Sequence, residues 1–508
     1  MLRHINNNNK IVNLYRTVVK RNYSNSSTTP SPNLLKQTLQ NKIVSKQKEM
    51  KDLRQTHSNY KIGDITIGSL LGGMRGNSLM YWDGTTLSPT EGIKFKGLTI
   101  EQCQDKLPNA KDVFGNISNN NNGKFFLPES MLWLLITGEI PTREQTLSVI
   151  NLLNNILRQQ NGELPPVTET IMNKLPADMH PMTQLSIGIT SLSSQSKFSS
   201  LYSQGKLGKS EYWSSTFDDS MKLIANLPLL AGKIYSRLHQ KKTGPQPLGS
   251  INYEMDWAYN ISSMLGMTKD SQNIKGLTPK QQSDFVELMR LYTGIHVDHE
   301  GGNVSAHSTH LVGSTLADPF LSYSSGINGL AGPLHGLAAQ EVVRFLFNLQ
   351  KKLEKQQQKS NDALGDTDAA ITKEIWRLLS NQQVIPGYGH AVLRIFDPRF
   401  DAMLNFVKQR PKEFQNDKHV NLMQNLSQIV PDILIKHGKC KNPYPNVDAA
   451  SGILFYHYGI TELMFFTVIF GCSRAIGPLT QLIWDRILGL PIERPKSIDM
   501  TTLKSMTK

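Results

Sequence analysis

The stretch Ile385–Arg399, IPGYGHAVLRIFDPR, gathers side chains that could do chemistry. Gly387 and Gly389 flank Tyr388 and set His390 at a tight bend, where glycine allows backbone shapes and close ligand approach that other residues resist. Two arginines, Arg394 and Arg399, follow five residues apart, with Asp397-Pro398 between them. Arginines hold carboxylates, and a histidine can donate to a carbonyl, so the set suits an anionic carbonyl compound. Taken alone, the same residues also fit a Pro/Gly turn followed by an ordinary basic segment.

Four further clusters carry reactive residue types. Four histidines stand in His296–His310 (HVDHEGGNVSAHSTH), but the HExxH order is absent and no cysteine is near. That spacing fits a polar active-site wall better than a zinc site. Asn328–Gly336 is a Gly/Pro-rich turn ending in His335, ahead of an amphipathic helix expected over Leu337–Leu353. The positive end of that helix dipole is expected to keep His335 neutral, so that it donates to a carbonyl oxygen; a plain capping histidine is the alternative. In Lys439–Gly452, Asp448 precedes a new helix as either an N-cap or a carboxylate base, and Lys439 and Lys441 bring positive charge suited to a phosphate-bearing ligand. Arg474 follows an apolar helix and needs an anionic partner, internal or ligand. Arg494 lies in Glu493–Ser497 (ERPKS), and Arg75 is presented by the glycine-rich turn Gly72–Gly76.

The elements that would position these residues are mostly helical. Apolar residues recur at three- and four-residue spacing around 129–137, 143–157, 183–193, 217–240 and 282–295. Asp178–Met182 is a start signal for one of them, and Ser45–Tyr60 is charged and helical in pattern. Asp64–Leu71 alternates like a strand, and small hairpins are expected around Met80–Tyr81, Asp83-Gly84 and Gly92–Gly97. Asn116–Asn122 has the composition of a surface insertion, and Lys241–Pro247 and Lys351–Asp366 read as polar connections. The chain is mainly α with a little β near the start, and it shows no internal repeat and no sustained β-α-β alternation.

With 508 residues and 39% hydrophobic content, the chain can build a large core. Its net charge of +14 is uneven: residues 1–48 hold nine Lys/Arg and no acid, and without those nine the remainder carries +5. The basicity is therefore poor support for nucleic-acid binding. Three distant cysteines, Cys103, Cys440 and Cys472, form no Cys-x-x-Cys pair and no disulfide framework. The apolar run Leu463–Cys472 is too short to span a bilayer and reads as a buried helix, so no membrane insertion is expected. The basic, acid-free, Ser/Asn-rich leader has the composition of a mitochondrial transit peptide, with residues 1–23 as the removed segment.

Together these segments closely resemble citrate synthases of the eukaryotic mitochondrial type. Gly387–Arg399, Asp298–His307, Gly332–Gly336 (GPLHG), Asn446–Ala449 (NVDA) and Glu493–Ser497 match family segments in the same order, and the resemblance runs from about Lys46 to Pro495. It implies a multi-helical homodimer with a large domain (24–336 and 460–508) and a smaller mobile domain (337–459). It also implies an acyltransferase of the citrate (Si)-synthase type in the mitochondrial matrix. The implied reaction takes acetyl-CoA, oxaloacetate and water to citrate and CoA, with no metal and no resident cofactor.

The resemblance further implies roles residue by residue. Asp448 would take a methyl proton from acetyl-CoA. His335 would hydrogen-bond the thioester oxygen, a donor typically worth ~3–4 kcal/mol of barrier. His390 would polarise the oxaloacetate ketone. His299, Arg399 and Arg474 would hold oxaloacetate and citrate oxygens, and Arg494 would reach the partner subunit's site. Arg75, Arg394, Lys439, Lys441 and Asn446 match the CoA-binding residues, and the backbone of 384–389 would meet the adenine.

This chain departs from the family pattern at two of these places. Ala450 stands where the family often has histidine, and Lys209 aligns with a CoA-binding arginine, keeping the charge but losing the bidentate fork. Two other readings stay open: a 2-methylcitrate synthase using propionyl-CoA, and a protein of another class that keeps the fold for a structural or assembly role. The leader reading has a direct check. N-terminal sequencing of the protein isolated from mitochondria is expected to begin near Ser24, and a mature chain that still starts at Met1 refutes it.

Overall fold

The computed structural model describes residues 30–115, 123–176, 178–239, 247–359 and 367–507. The 1–23 leader, the Asn-rich 116–122 segment and most of the 241–247 connection lie outside the described residues, as do residues 360–366 of the 351–366 connection. What is described is mostly helical.

The expected helices form at Pro128–Thr137, Arg143–Gln159, Pro181–Leu192, Tyr212–His239 and Pro279–Ile295. Local chemistry starts several of them. Thr142 with Gln145 and Thr278 with Gln281 form capping boxes, each satisfying two of the orphan donors at a helix start. His180 accepts from the Met182 N–H at the signal read from Asp178–Met182. Tyr212–His239 is the central helix: it contains Pro228, is buried almost throughout, and packs against Arg143–Gln159, Pro181–Leu192, Trp257–Met264 and Ile476–Leu488.

Among the described residues, 30–85 deviate most from expectation. The N-terminal helix spans Leu34–His57 and anchors Leu35 and Leu39 in the core. Asp64–Leu71 is not a strand: Ile67–Leu71 is a short helix capped by Thr66, and Ile65, Ile67, Leu70 and Leu71 are all exposed. Alternation forms a strand only when a partner edge is present, and none pairs here. The sheet lies later and is small. β1 (Thr85–Ser88) pairs antiparallel with β2 (Gly92–Phe95), Thr85 opposite Phe95, and β2 pairs with β3 (Leu98–Thr99). Met80–Tyr81 takes no part in it.

Among residues 338–457, the helices Ala338–Lys359, Thr367–Ser380, Pro398–Lys408, Lys418–His437 and Asp448–His457 pack largely on one another. The first of these runs through Lys359, past the Leu353 expected and into the stretch read as a polar connection, while its buried stripe of Leu346, Leu349 and Leu353 ends at Leu353. Near the C-terminus the apolar run is longer than it looked. Helical structure continues through Leu463–Leu488, 26 residues, long enough to cross a membrane, but 83% of its apolar window is buried inside the protein. It is a core element.

Helices Val304–Ser314 and Pro319–Leu330 cross very closely at Gly326. A Cβ there would lie 2.3 Å from Thr309 Oγ1 and 2.6 Å from the Ser305 carbonyl oxygen. Gly326→Val is therefore expected to cost ~1–3 kcal/mol by overpacking and to lower Tm, and unchanged thermal unfolding would refute this close-crossing account.

Candidate functional site

The site begins with two loops far apart in sequence that are laced together. Gly389 N–H donates to the Tyr444 carbonyl (3.1 Å), and Asn446 N–H donates to the Gly387 carbonyl (2.9 Å). Asn446 Nδ2 donates to the Gly389 carbonyl (3.0 Å), while its Oδ1 accepts from the Asp448 N–H (3.1 Å). Gly387 has φ +84°, and a Cβ there would come within 3.0 Å of Ala449 Cα, so the position needs glycine twice over. Asn446 is thus spent on joining the loops. Asp448 is the first residue of helix Asp448–His457, with Val447 at the cap position, so it is not the N-cap.

Asp397 ties the same region from the other side. It caps helix Pro398–Lys408 through the Arg399 N–H (3.0 Å) and accepts the Val447 N–H (3.2 Å). Its carboxylate also takes the Arg399 fork, with Nε at 3.0 Å and Nη2 at 2.8 Å. Nη1 of this buried arginine has no hydrogen-bond partner among the described residues, leaving an NH2 group that a ligand could engage. Asp448 feels both charges. Burial first, and then Asp397, push its carboxyl up to about 6 against the pull of Arg399. No hydrogen bond from a described residue reaches its carboxylate oxygens, so it is a poised, poorly solvated base.

Hydrogen bonds assign the two histidine tautomers. His390 Nδ1 accepts from the N–H groups of Val392 (3.0 Å) and Leu393 (2.9 Å), so its proton sits on Nε2. His335 Nε2 accepts from the Ser305 N–H (3.3 Å), so its proton sits on Nδ1. Both rings are neutral donors, with pKa values held down to about 4. Burial is the first cause in each; for His335 the second is Arg474, and the helix it precedes begins at Ala338. Arg394 steadies the His390 loop by donating to the Val392 and Leu393 carbonyls, both at 2.8 Å.

Arg474 is the centre of the anionic side. It is 1% exposed, and it makes no ion pair with a carboxylate of the described residues, although the charge of Asp298 is felt there. Nε donates to the His296 carbonyl (3.1 Å), and Nη1 donates to Asn303 Oδ1 (3.1 Å) and Ser305 Oγ (3.2 Å). The guanidinium lies 4.7 Å from the Phe470 ring centroid. Burial lowers its pKa to about 10, so it remains charged near neutrality. His299 Nε2 is buried without a hydrogen-bond partner, and its ring is 5.4 Å from that of His390. Burial, then Arg399, hold the His299 ring neutral.

The remaining histidines of the 296–310 segment diverge. His296 Nδ1 donates to the Tyr292 carbonyl (2.8 Å), His307 bonds Glu493 (2.8 Å), and His310 bonds Asp485 (2.9 Å). Among the described residues no group of three His, Cys, Asp or Glu side chains could hold a metal ion.

The structure thus brings His299, His335, His390, Arg399, Arg474 and Asp448 into one buried charge cluster. Arg394, Lys439 and Lys441 stand exposed on the adjoining loops. Arg75, Lys209 and Arg494 lie exposed outside the cluster, Lys209 beside the Leu34–His57 helix with Arg54 and Arg486. Several supporting residues had no role assigned from sequence: Asp298, Asn303, Ser305, Phe470 and Asp397. Asp298 is fully buried and accepts from Trp82 Nε1 and Thr85 Oγ1, both at 2.8 Å, fastening the histidine segment to β1. A buried-polar pattern in DHEGGNVS was visible, but its partners were not.

Any reaction in which Asp448 is the base has a defined acid limb. The carboxylate must be deprotonated, so the rate is expected to fall roughly tenfold per pH unit below about 6. A rate that stays flat to pH 5 would refute the raised carboxyl.

The family model for the citrate synthase C-terminal domain matches residues 73–496. Citrate synthase 3, mitochondrial, of Saccharomyces cerevisiae is 55% identical over 97% of this chain and 96% of that protein. The 2-methylcitrate synthase, mitochondrial, of Gibberella moniliformis is 45% identical over 92% of this chain and 90% of that one. A solved citrate synthase from Pyrobaculum aerophilum shares the fold, with a TM-score of 0.65 at 22% identity over 87% of this chain and 95% of that one. With its helical architecture and its matched sequence taken together, this chain belongs to the citrate synthase family, as an enzyme of its mitochondrial members.

Proposed function

We propose that this enzyme condenses acetyl-CoA with oxaloacetate and water to give citrate and CoA. The observation that carries the reading is Arg474: a buried cation that makes no ion pair with a carboxylate among the described residues, beside neutral His299 and the unbonded Nη1 of Arg399. That combination is costly unless an anion completes it. A dicarboxylate with a ketone fits both the charge and the His390 donor.

The chemistry follows from the protonation states. Asp448 takes a proton from the acetyl methyl group. His335 Nδ1–H donates to the thioester oxygen as enolate charge develops, without itself being a strong acid. His390 Nε2–H polarises the ketone of oxaloacetate, whose carbon the enol(ate) attacks, forming the new carbon–carbon bond. Water then cleaves the citryl thioester, releasing CoA as a thiol and citrate as a carboxylate. Arg75, Arg394, Lys439 and Lys441 supply cationic contacts for the CoA phosphates. Asn446 serves that site by shaping its loop. This route calls on no metal or organic cofactor.

Closure of a smaller unit, 337–459, on the larger one, 24–336 with 460–508, would complete the acetyl-CoA site and shield the thioester. The catalytic unit is a homodimer in this reading, with Arg494 and Lys209 completing the partner's site. Exposed apolar residues on both chain ends support an interface: Ile62, Ile65, Leu71, Ile492, Ile498 and Met500. The matrix location follows from the leader and from the mitochondrial relatives.

A second reading, 2-methylcitrate synthesis from propionyl-CoA, is favoured by the 45% identity to proteins of that name. One extra methylene is worth only ~1–3 kcal/mol of discrimination, so both substrates fit the same machinery. Thiol release is expected only when acyl-CoA and oxaloacetate are both present, and to persist with a chelator. The ratio of kcat/KM for acetyl-CoA over propionyl-CoA decides specificity, a value below one refuting the first reading. Asp448→Ala, His335→Ala and His390→Ala are each expected to lose at least about a hundredfold in kcat while staying folded and dimeric. Near-normal turnover by Asp448→Ala would sink the mechanism.

A further inference from the structure

The helix that begins at Asp448 ends at His457, and that far end is clamped. His457 Nδ1 is 2.6 Å from Asp417 Oδ2, and Nε2 is 3.2 Å from Glu413 Oε1. Carboxylate oxygens only accept, so an imidazolium satisfies both partners at once. Burial disfavours that charge, yet the hydrogen bonds with Asp417 and then Glu413 hold the ring's pKa above the usual histidine value. The ring also packs against Phe414, with centroids 4.6 Å apart.

The clamp crosses to a second helix. Glu413 Oε1 accepts from Gln281 Nε2 (2.8 Å), and Gln281 is the capping-box residue of helix Pro279–Ile295. One turn on, Asp284 holds Arg410 (2.8 Å) and Lys280 (2.6 Å). Of the other charged groups nearby, Lys418 pairs with Glu354, and His419 faces the clamp, its Nδ1 4.0 Å from Asp417 Oδ1. The two helices also meet through their rings, Tyr292 with Phe455 (4.8 Å) and Phe285 with Tyr458 just past the helix end (5.8 Å). One helix therefore starts at Asp448, the other runs out into His296–His299, and the clamp joins their opposite ends.

We propose that the doubly hydrogen-bonded His457 is a positioning residue, locking the helix that carries Asp448 against the helix that leads into His296–His299 and so setting the base's distance from the acyl-CoA methyl group. This rests on the reading of Asp448 as the base. A misplacement of the order of an ångström at a reacting centre costs up to about a hundredfold in rate.

The test is His457→Gln, assayed per folded active site with acetyl-CoA and with its trideuterated methyl form. Expected is a loss in kcat on the order of ten- to a hundredfold, a KM for oxaloacetate within about twofold of wild type, and a larger deuterium isotope effect, because proton removal becomes the slow step. Wild-type kcat is also expected to decline on the alkaline side as His457 loses its proton, a decline His457→Gln lacks. An unchanged kcat and isotope effect overturns the proposal, as does a loss that merely tracks the folded fraction. If His457→Gln does not fold, Gln281→Ala removes the outer rung, and an unchanged isotope effect there overturns it equally. The clamp is also read without turnover: by NMR, His457 must titrate above an ordinary histidine and move down in Asp417→Asn. A normal titration refutes the clamp, whereas absent thiol release by the wild-type enzyme refutes the proposed function.

Discussion

A fully buried arginine that forms no ion pair among the described residues is the constraint on which the site depends. Removing a guanidinium from water is costly; the hydrogen bonds of Arg474 all go to neutral groups, the His296 carbonyl, Asn303 and Ser305, with the Phe470 ring beside it and the charge of Asp298 acting without an ion pair. Those partners have second duties. Asn303 caps helix Val304–Ser314, and the Ser305 N–H fixes the tautomer of His335. The surroundings of Arg474 and of His335 are therefore one connected structure. Displacing either disturbs the other.

The same burial that strains Arg474 tunes its neighbours in useful directions. It lowers the histidines, so His335 and His390 stay neutral donors, and it raises Asp448 into the range of an effective base. The sign of each shift follows from the sign of the charge: a dry interior disfavours whichever form is ionised. Arg399 escapes this fate because Asp397 pairs with it, which is why two arginines in one cluster differ so much in environment.

Much of this was legible before any coordinates. Helical periodicity located the long core helices, and the residue types at 296–310, 328–336, 385–399 and 439–452 marked the reactive segments. The misreadings have specific causes. Asp64–Leu71 alternated without a partner strand. Asp448 had a capping residue's position but sits one residue inside the helix. Nothing in the sequence marked the pairing of Arg399 with Asp397, two residues away, through Nε and Nη2. His457, at the end of the Asp448 helix, carried no local signal at all.

Sequence alone determined which side chains could donate, accept or carry charge, and which stretches would be helical, because those follow from covalent chemistry and from spacing along the chain. Which carboxylate, carbonyl or hydroxyl each of them meets was decided only by the tertiary structure. Gly387 reaches Asn446, and Arg474 reaches Asn303, across long stretches of chain. Burial, and with it the protonation of His335, His390 and Asp448, depends on what packs around a group rather than on its neighbours in sequence.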